Sequence, residues 1–355
     1  MLKQLFAFRE TKRAWHLPVV AGLCVGIPLL LGFKFDDMDA GRLASLGALV
    51  ILYLQSDNLA NRMMILTVCG FGFIFSYTIG AVAAHWFWLS PLILGVYTFA
   101  VHYGLFRLNL NKPPGNFFFI MTASMAIVQP QNIENITKNI GNVAFGVMIA
   151  CLIGMVYSLI TLKNPMKEER RSVVFYSNKY TNITESIIFG TTVGVSLLIA
   201  NLFQMPKPYW VPISCMAVMQ GISTSHVWAR AIQRVGGTFI GLFLVWTILQ
   251  FNITVLGICL CIMILQIIVE FLVVRNYALA VIFISMLTIF IAEPSNHLIL
   301  NAGNLIEARL ADTVVGSIIG ALGGWMLYHE RIHFYTKKQV RKSQILFRKM
   351  GSRKL

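Results

Sequence analysis

Apolar residues fall in blocks along this chain, separated by short polar stretches. Eight blocks are clear, at residues 17–33, 63–84, 86–106, 141–162, 187–203, 232–249, 253–274 and 310–328. Each approaches the roughly 20 apolar residues that a helix needs to cross a bilayer core about 30 Å thick. Four weaker blocks, 44–54, 115–129, 210–220 and 277–292, lie between them and are short for a span. The pattern predicts an all-α polytopic membrane protein of about twelve transmembrane helices.

Composition agrees with that reading. Charged residues are 12% of the chain and apolar ones 57%, against about 25% and 45–50% in soluble domains. A water-facing surface cannot be built from such a mixture. The first 16 residues are basic and lead into an apolar block, as a signal sequence does, yet no small-residue cleavage site follows Phe33. An uncleaved first helix is expected. Cys24, Cys69, Cys151, Cys215, Cys259 and Cys261 all lie inside apolar blocks, without metal or redox spacing. No metal site, cofactor, phosphate-binding loop or spaced nucleophile and base is expected, so the chain reads as a non-enzyme.

The formal charge of +15 suggests nucleic acid until its distribution is considered. With the N-terminus inside and twelve crossings, 24 of the 29 basic residues fall on the inner side, while the 14 acidic ones divide equally. Topology therefore accounts for the excess: the positive-inside rule puts both termini in the cytoplasm of a cell inner membrane. The tail, residues 329–355, interleaves Phe334, Tyr335, Ile345, Leu346 and Phe347 with lysines and arginines. A helix of that kind lies on anionic lipids of the cytoplasmic leaflet.

Shifted by 164 to 170 residues, the chain aligns with itself. Gly22 and Gly26 match Gly190 and Gly194, Gln55 matches Gln220, and Arg62 matches Arg230. Gln129-Pro130 matches Glu293-Pro294, while Gly146 and Gly154 match Gly316 and Gly324. The reading is two tandem six-helix units, 1–162 and 186–328, joined by a cytoplasmic linker at 163–185. Six crossings per unit make the repeats parallel. The four short blocks occupy corresponding positions in the two units, which is the sequence pointer to a midplane site formed by half-helix ends.

Ionisable groups in or beside spans are the candidate functional groups. Arg230 and Arg234 lie one turn apart at the start of the ninth helix and Arg62 enters the third, all suited to gathering a carboxylate or to anchoring in lipid phosphate. Gln55, Gln220, Asn116 and Asn276 lie on or beside the short blocks and offer neutral hydrogen bonds. Tyr209 and Trp210 suit either an aromatic substrate or an interfacial belt. Asp312, three residues after Arg309, is either a titrating site or half of an ion pair at the outer surface. Glu270, five before Arg275, has the same two readings.

Tyr209-Trp210-Val211-Pro212-Ile213-Ser214, then the run from Arg230 through Gln233-Arg234-Val235-Gly236-Gly237-Thr238 to Gly241, resembles the fusaric acid resistance and aromatic acid exporter superfamily. Arg309-Leu310-Ala311-Asp312-Thr313 with Gly316 resembles that family's final helix. The first unit keeps the glycines and Gln55 but has lost the Tyr-Trp-x-Pro start and the Gln-Arg-x-x-Gly-Thr run. The resemblance implies an inner-membrane exporter of aromatic or other organic acids, similar in its membrane part to plant malate channels. There two six-helix chains pair around an anion path; here one chain would supply both, with only the linker and tail outside the membrane. Three functions stand open: a proton-driven secondary exporter, a passive organic-anion channel, and a non-transporting scaffold of an envelope assembly complex. The implied partners are a small organic anion, a periplasmic adaptor and a second copy of the chain.

Overall fold

The computed structural model describes residues 13–54, 58–107, 114–128, 133–161, 179–251, 253–292 and 302–329. These form twelve α-helices: α1 (His16–Lys34), α2 (Met38–Ala48), α3 (Leu59–Ala83), α4 (Ser90–Arg107), α5 (Phe117–Val128), α6 (Ile133–Thr161), α7 (Lys179–Leu202), α8 (Trp210–Met219), α9 (Thr224–Leu249), α10 (Val255–Leu272), α11 (Tyr277–Ala292) and α12 (Ala302–Tyr328). No strand occurs among the described residues. Seven helices, α1, α3, α6, α7, α9, α10 and α12, are long and apolar enough to cross a membrane. The tail beyond residue 329, most of the linker and Gln55 lie outside the described residues.

The four short blocks become short helices. α5, α8 and α11 have 12, 10 and 16 residues, too few for a 30 Å core at 1.5 Å per residue. α2 starts earlier than the apolar pattern, because Asp37 caps it by accepting the Ala40 amide at 3.0 Å. It then tightens into a 3₁₀ turn at Leu49–Tyr53. Side-chain caps also start α3 (Asn58), α9 (Ser223), α10 (Thr254) and α11 (Asn276), and α3 and α9 begin ahead of their hydropathy blocks. α7 begins at Lys179, so it takes in the last residues of the segment read as linker.

Helix pairing follows glycine. α6 lies against α2 where Gly146 faces the Ala44 carbonyl, and α12 lies against α8 where Gly316 faces that of Val211. α3 packs on α5 and α6, and α9 packs on α11 and α12. Two further pairs link distant parts of the chain: α1 with α10, and α4 with α7. In the first, Gly22 and Gly26 admit Met263 and Ile267; in the second, Gly190 and Gly194 meet the carbonyls of Gly95 and Pro91. The short helices sit in the middle, with every residue of α8 buried, while large apolar side chains such as Phe71, Leu92, Phe239 and Phe243 face outward.

Candidate functional site

Four helices of the second half build a buried polar cluster. Tyr209 and Trp210 start α8, where Pro212 is tolerated in the first turn because no intrahelical bond is lost there. α9 brings Arg234 and Thr238, α11 brings Ser285 and Thr288, and α12 brings Arg309, Asp312 and Thr313. Gly241 lets α9 approach the Ile282 carbonyl of α11, and Gly316 lets α12 approach α8. Those contacts set the spacing of the polar side chains.

Arg309 is the centre of the cluster. Its guanidinium carbon sits 3.4 Å from the centroid of the Trp210 ring, a desolvated cation–π contact. Nη2 donates to Thr288 Oγ1 at 3.3 Å, and that hydroxyl donates onward to the Ser285 carbonyl. Ser285 Oγ lies 3.1 Å from Thr238 Oγ1. Arg234 and Asp312 are the charged groups near enough to act on Arg309.

Burial makes this arrangement unusual. Arg234 and Arg309 are each 2% exposed and Asp312 is 0% exposed, and a buried charge is costly unless it is paired and hydrogen-bonded. Yet Nε and Nη1 of Arg309, Nε of Arg234 and both carboxylate oxygens of Asp312 have no hydrogen-bond partner. The Oγ atoms of Ser214 and Ser317 and the Oγ1 of Thr313 are likewise unsatisfied. Such orphans are rare in folded proteins and call for a missing partner. Guanidinium donors, an indole and a set of hydroxyls are groups able to bind an anion with a flat apolar body.

Three expectations are corrected here. Arg309 and Asp312 are not an ion pair at the outer surface: both are buried, and neither Asp312 oxygen is bonded. Trp210 and Tyr209, 5% and 8% exposed, are core residues and not an interfacial belt. Glu270 is held by Arg13 at 2.8 Å and not by Arg275, which lies over the Phe271 ring.

The remaining candidates are spread along the same helices. Arg230 donates from Nε to the Ala217 carbonyl at 2.9 Å and lies 4.0 Å from the Tyr277 ring centroid. Asn276 caps α11 through Oδ1, leaving Nδ2 unsatisfied, as is Nδ2 of Asn116 just before α5. Gln220 ends α8. Arg62 is apart from the cluster, bonded to Ser158 and Thr161 of α6. Arg309, Ser285 and Thr288 were not singled out as site residues from sequence, although Arg309 stood in the family-like motif.

Among the described residues, the first half has no comparable cluster in its core. There Tyr53, Phe73, Phe118 and Phe119 pack edge to face, with ring centroids 5.3–6.5 Å apart.

Residues 187–323 match the family described as fusaric acid resistance protein-like, and that segment contains every residue of the cluster. The resemblance read from the sequence is therefore borne out over the second half of the chain. Two curated relatives are similar. Uncharacterized membrane protein YvaC of Bacillus subtilis (strain 168) is 39% identical over 171 residues, 47% of this chain and 26% of the relative. Uncharacterized protein YhfK of Escherichia coli (strain K12) is 29% identical over 133 residues, 37% of this chain and 18% of the relative. The matched part is thus about a quarter or less of each relative's length. No solved structure matches the chain. With its seven apolar helices, the chain is a membrane protein that is similar over residues 187–323 to the fusaric acid resistance protein-like family.

Proposed function

We propose that this fusaric acid resistance-like membrane protein is a secondary transporter that exports organic, chiefly aromatic, acids across the inner membrane. One observation carries the reading: two buried arginines, Arg234 and Arg309, present unpartnered N–H donors, and Arg309 lies against the indole of Trp210. A carboxylate would satisfy the donors of either arginine, and at Arg309 an aromatic ring would lie along Trp210 and Tyr209. Arg230, at the start of α9, supplies the first contact from the cytoplasm, with Asn276 and Gln220 as neutral donors nearby. The inward bias of positive charge supports an orientation with both termini cytoplasmic.

The architecture proposed with it is two parallel six-helix units in one chain. Equivalent pairings support this: α2 with α6 and α8 with α12, α3 with α5 and α9 with α11, α1 with α10 and α7 with α4. Asp36 and Gln204, both in the left-handed region with φ of 56° and 50°, follow the first helix of each unit.

Proton coupling is assigned to Asp312. Glu270 has a counter-ion in Arg13, whereas Asp312 has no hydrogen-bonding partner and lies within reach of the arginines' field. In proteoliposomes, an outward-directed flux of labelled benzoate or 4-hydroxybenzoate should follow an imposed pH gradient. Flux equal to that of empty liposomes for every acid in a panel would sink the reading in favour of a scaffold. Asp312→Asn should abolish the dependence on the gradient; unchanged dependence would point to passive conduction.

A further inference from the structure

Among the described residues, most buried polar atoms without partners belong to the second half of the chain. There they are on Ser214 of α8, Arg234 of α9, Asn276 and Tyr277 at the start of α11, Arg309, Asp312, Thr313 and Ser317 of α12, and His329 just after it. Their heights can be compared because one end of α12 is tied to the start of α9. Tyr328 donates to the Gly221 carbonyl at 2.5 Å, and Gly324 packs on Val227. Counting from that end at 1.5 Å per residue, Arg230 lies at about 9 Å, Arg234 and Ser317 at about 15 Å, Asp312 at about 24 Å and Arg309 at about 28 Å. The polar groups therefore form a column that spans most of a 30 Å hydrocarbon core. At each end of it an arginine lies over an aromatic ring, Arg230 over Tyr277 and Arg309 over Trp210, at 4.0 and 3.4 Å from the centroids.

The seams between the halves of the chain are built differently. At α4 and α7, a Cβ on Gly190 would stand 2.6 Å from the Gly95 carbonyl oxygen, and one on Gly194 2.9 Å from that of Pro91. At α1 and α10, Gly26 is filled by the Met263 side chain at 2.8 Å. Backbones in such contact leave no room for a hydrated anion, and the polar groups at the seams are paired with each other, His102 with Ser186 and Arg13 with Glu270. α5 backs the other side of α8 with an apolar helix, Phe117–Val128.

We propose that the anion path runs through the second half alone, along the column enclosed by α8, α9, α11 and α12, and that the seams between halves are closed structural joints. The proposal rests on the transport reading above but departs from a path formed between two six-helix units. The anion steps from Arg230 to Arg234 to Arg309, exchanging one charge-assisted set of hydrogen bonds for the next, with the hydroxyls of Ser214, Ser317 and Thr313 bridging the interval. The field of Asp312 lowers the hold of the outer arginine and so favours release.

Single cysteines test the location. Ser214→Cys and Ser317→Cys change one atom in the column; Met263→Cys and Phe99→Cys place a smaller side chain in each seam, where it would ease access for a reagent. In membrane vesicles, an anionic water-soluble thiosulfonate should label the two column cysteines above the parent protein. Saturating benzoate should slow that labelling at least threefold, while the seam cysteines stay at the parent level. Seam cysteines that label and are protected, with silent column positions, would overturn the proposal, as would no labelling beyond the parent at any of the four. Failure of the transport reading looks different: column cysteines label without protection, and the parent moves no acid in the same vesicles.

Discussion

A guanidinium held 3.4 Å from an indole, with two of its nitrogens unsatisfied, does something that a lysine cannot. Lysine keeps the charge but loses the planar fork that stacks and binds a carboxylate at two points. Removing one partner of a buried charged contact costs about 2–5 kcal/mol, so Arg309→Lys should raise the half-saturating acid concentration by roughly thirtyfold or more. Initial rates in proteoliposomes check this, and an unchanged value would remove Arg309 from the site. A second residue-scale effect lies outside the spans, at Asp37. The amide of Ala40, then Lys138 at 3.1 Å, hold its carboxyl below the ordinary aspartate range. A depressed folded-state pKa adds stability above the unfolded value near 4 that disappears as pH falls through the folded value. Asp37→Asn keeps a capping oxygen and removes the charge, so it should lower detergent-phase stability by a few tenths of a kcal/mol at pH 7, discounted for exposure. Near pH 2 wild type and variant should melt together. Arg309 also shows what hydropathy hides: the apolar block starts at residue 310, but the helix starts at Ala302, because a charge ends a hydropathy window and does not end a helix. A residue that belongs seven places inside a buried helix was thus read as lying at its outer edge.

At the scale of elements, short helices were legible and their neighbours were not. Blocks 44–54, 115–129, 210–220 and 277–292 were too short to span, and the structure makes each a short central helix. Which helix each would touch depends on where glycines face, and glycine spacing alone does not reveal facing. The motif pair Gly236-Gly237 illustrates this. Gly237 meets Val281 of α11 at 2.9 Å, whereas a Cβ on Gly236 would meet nothing within 4 Å. Gly236→Ala should therefore be neutral or stabilising by up to about 1 kcal/mol through helix propensity. Gly316→Val, by contrast, drives a side chain into the Val211 carbonyl, which is backbone and cannot swing away. Overpacking of that kind costs typically 1–3 kcal/mol, and separating α12 from α8 would also move Arg309 off Trp210. Thermal unfolding in detergent together with transport should show Gly316→Val losing both and Gly236→Ala losing neither; equal tolerance at the two positions would argue against the helix contact.

At the scale of the whole molecule, the question is what holds distant parts of the chain in one body. Matching glycines at 22, 26, 190 and 194 were visible as a repeat, but each pair packs on a helix of the opposite half, an exchange that the one-dimensional pattern cannot express. Where α1 crosses α10, the end nearer the start of α1 carries a charge lock: Arg13 donates to the Glu270 carboxylate at 2.8 Å, across 257 residues of chain. Glu270 is 6% exposed, so losing Arg13 strands a desolvated carboxylate, whereas losing both charges leaves a packed apolar joint of the kind that can replace an ion pair at little cost. Arg13→Gln alone should then destabilise the detergent-solubilised protein by about 3 kcal/mol, the low end for a buried pair because Arg13 keeps partial exposure. The double variant Arg13→Gln with Glu270→Gln should recover at least about 1 kcal/mol of that loss, a coupling that a thermodynamic cycle resolves. Additive losses would mean that the two side chains act independently and that the crossing is held by its glycine packing alone. Transport through the column, which neither residue lines, should survive in the double variant, because a joint between halves need only stay closed for a path within one half to work.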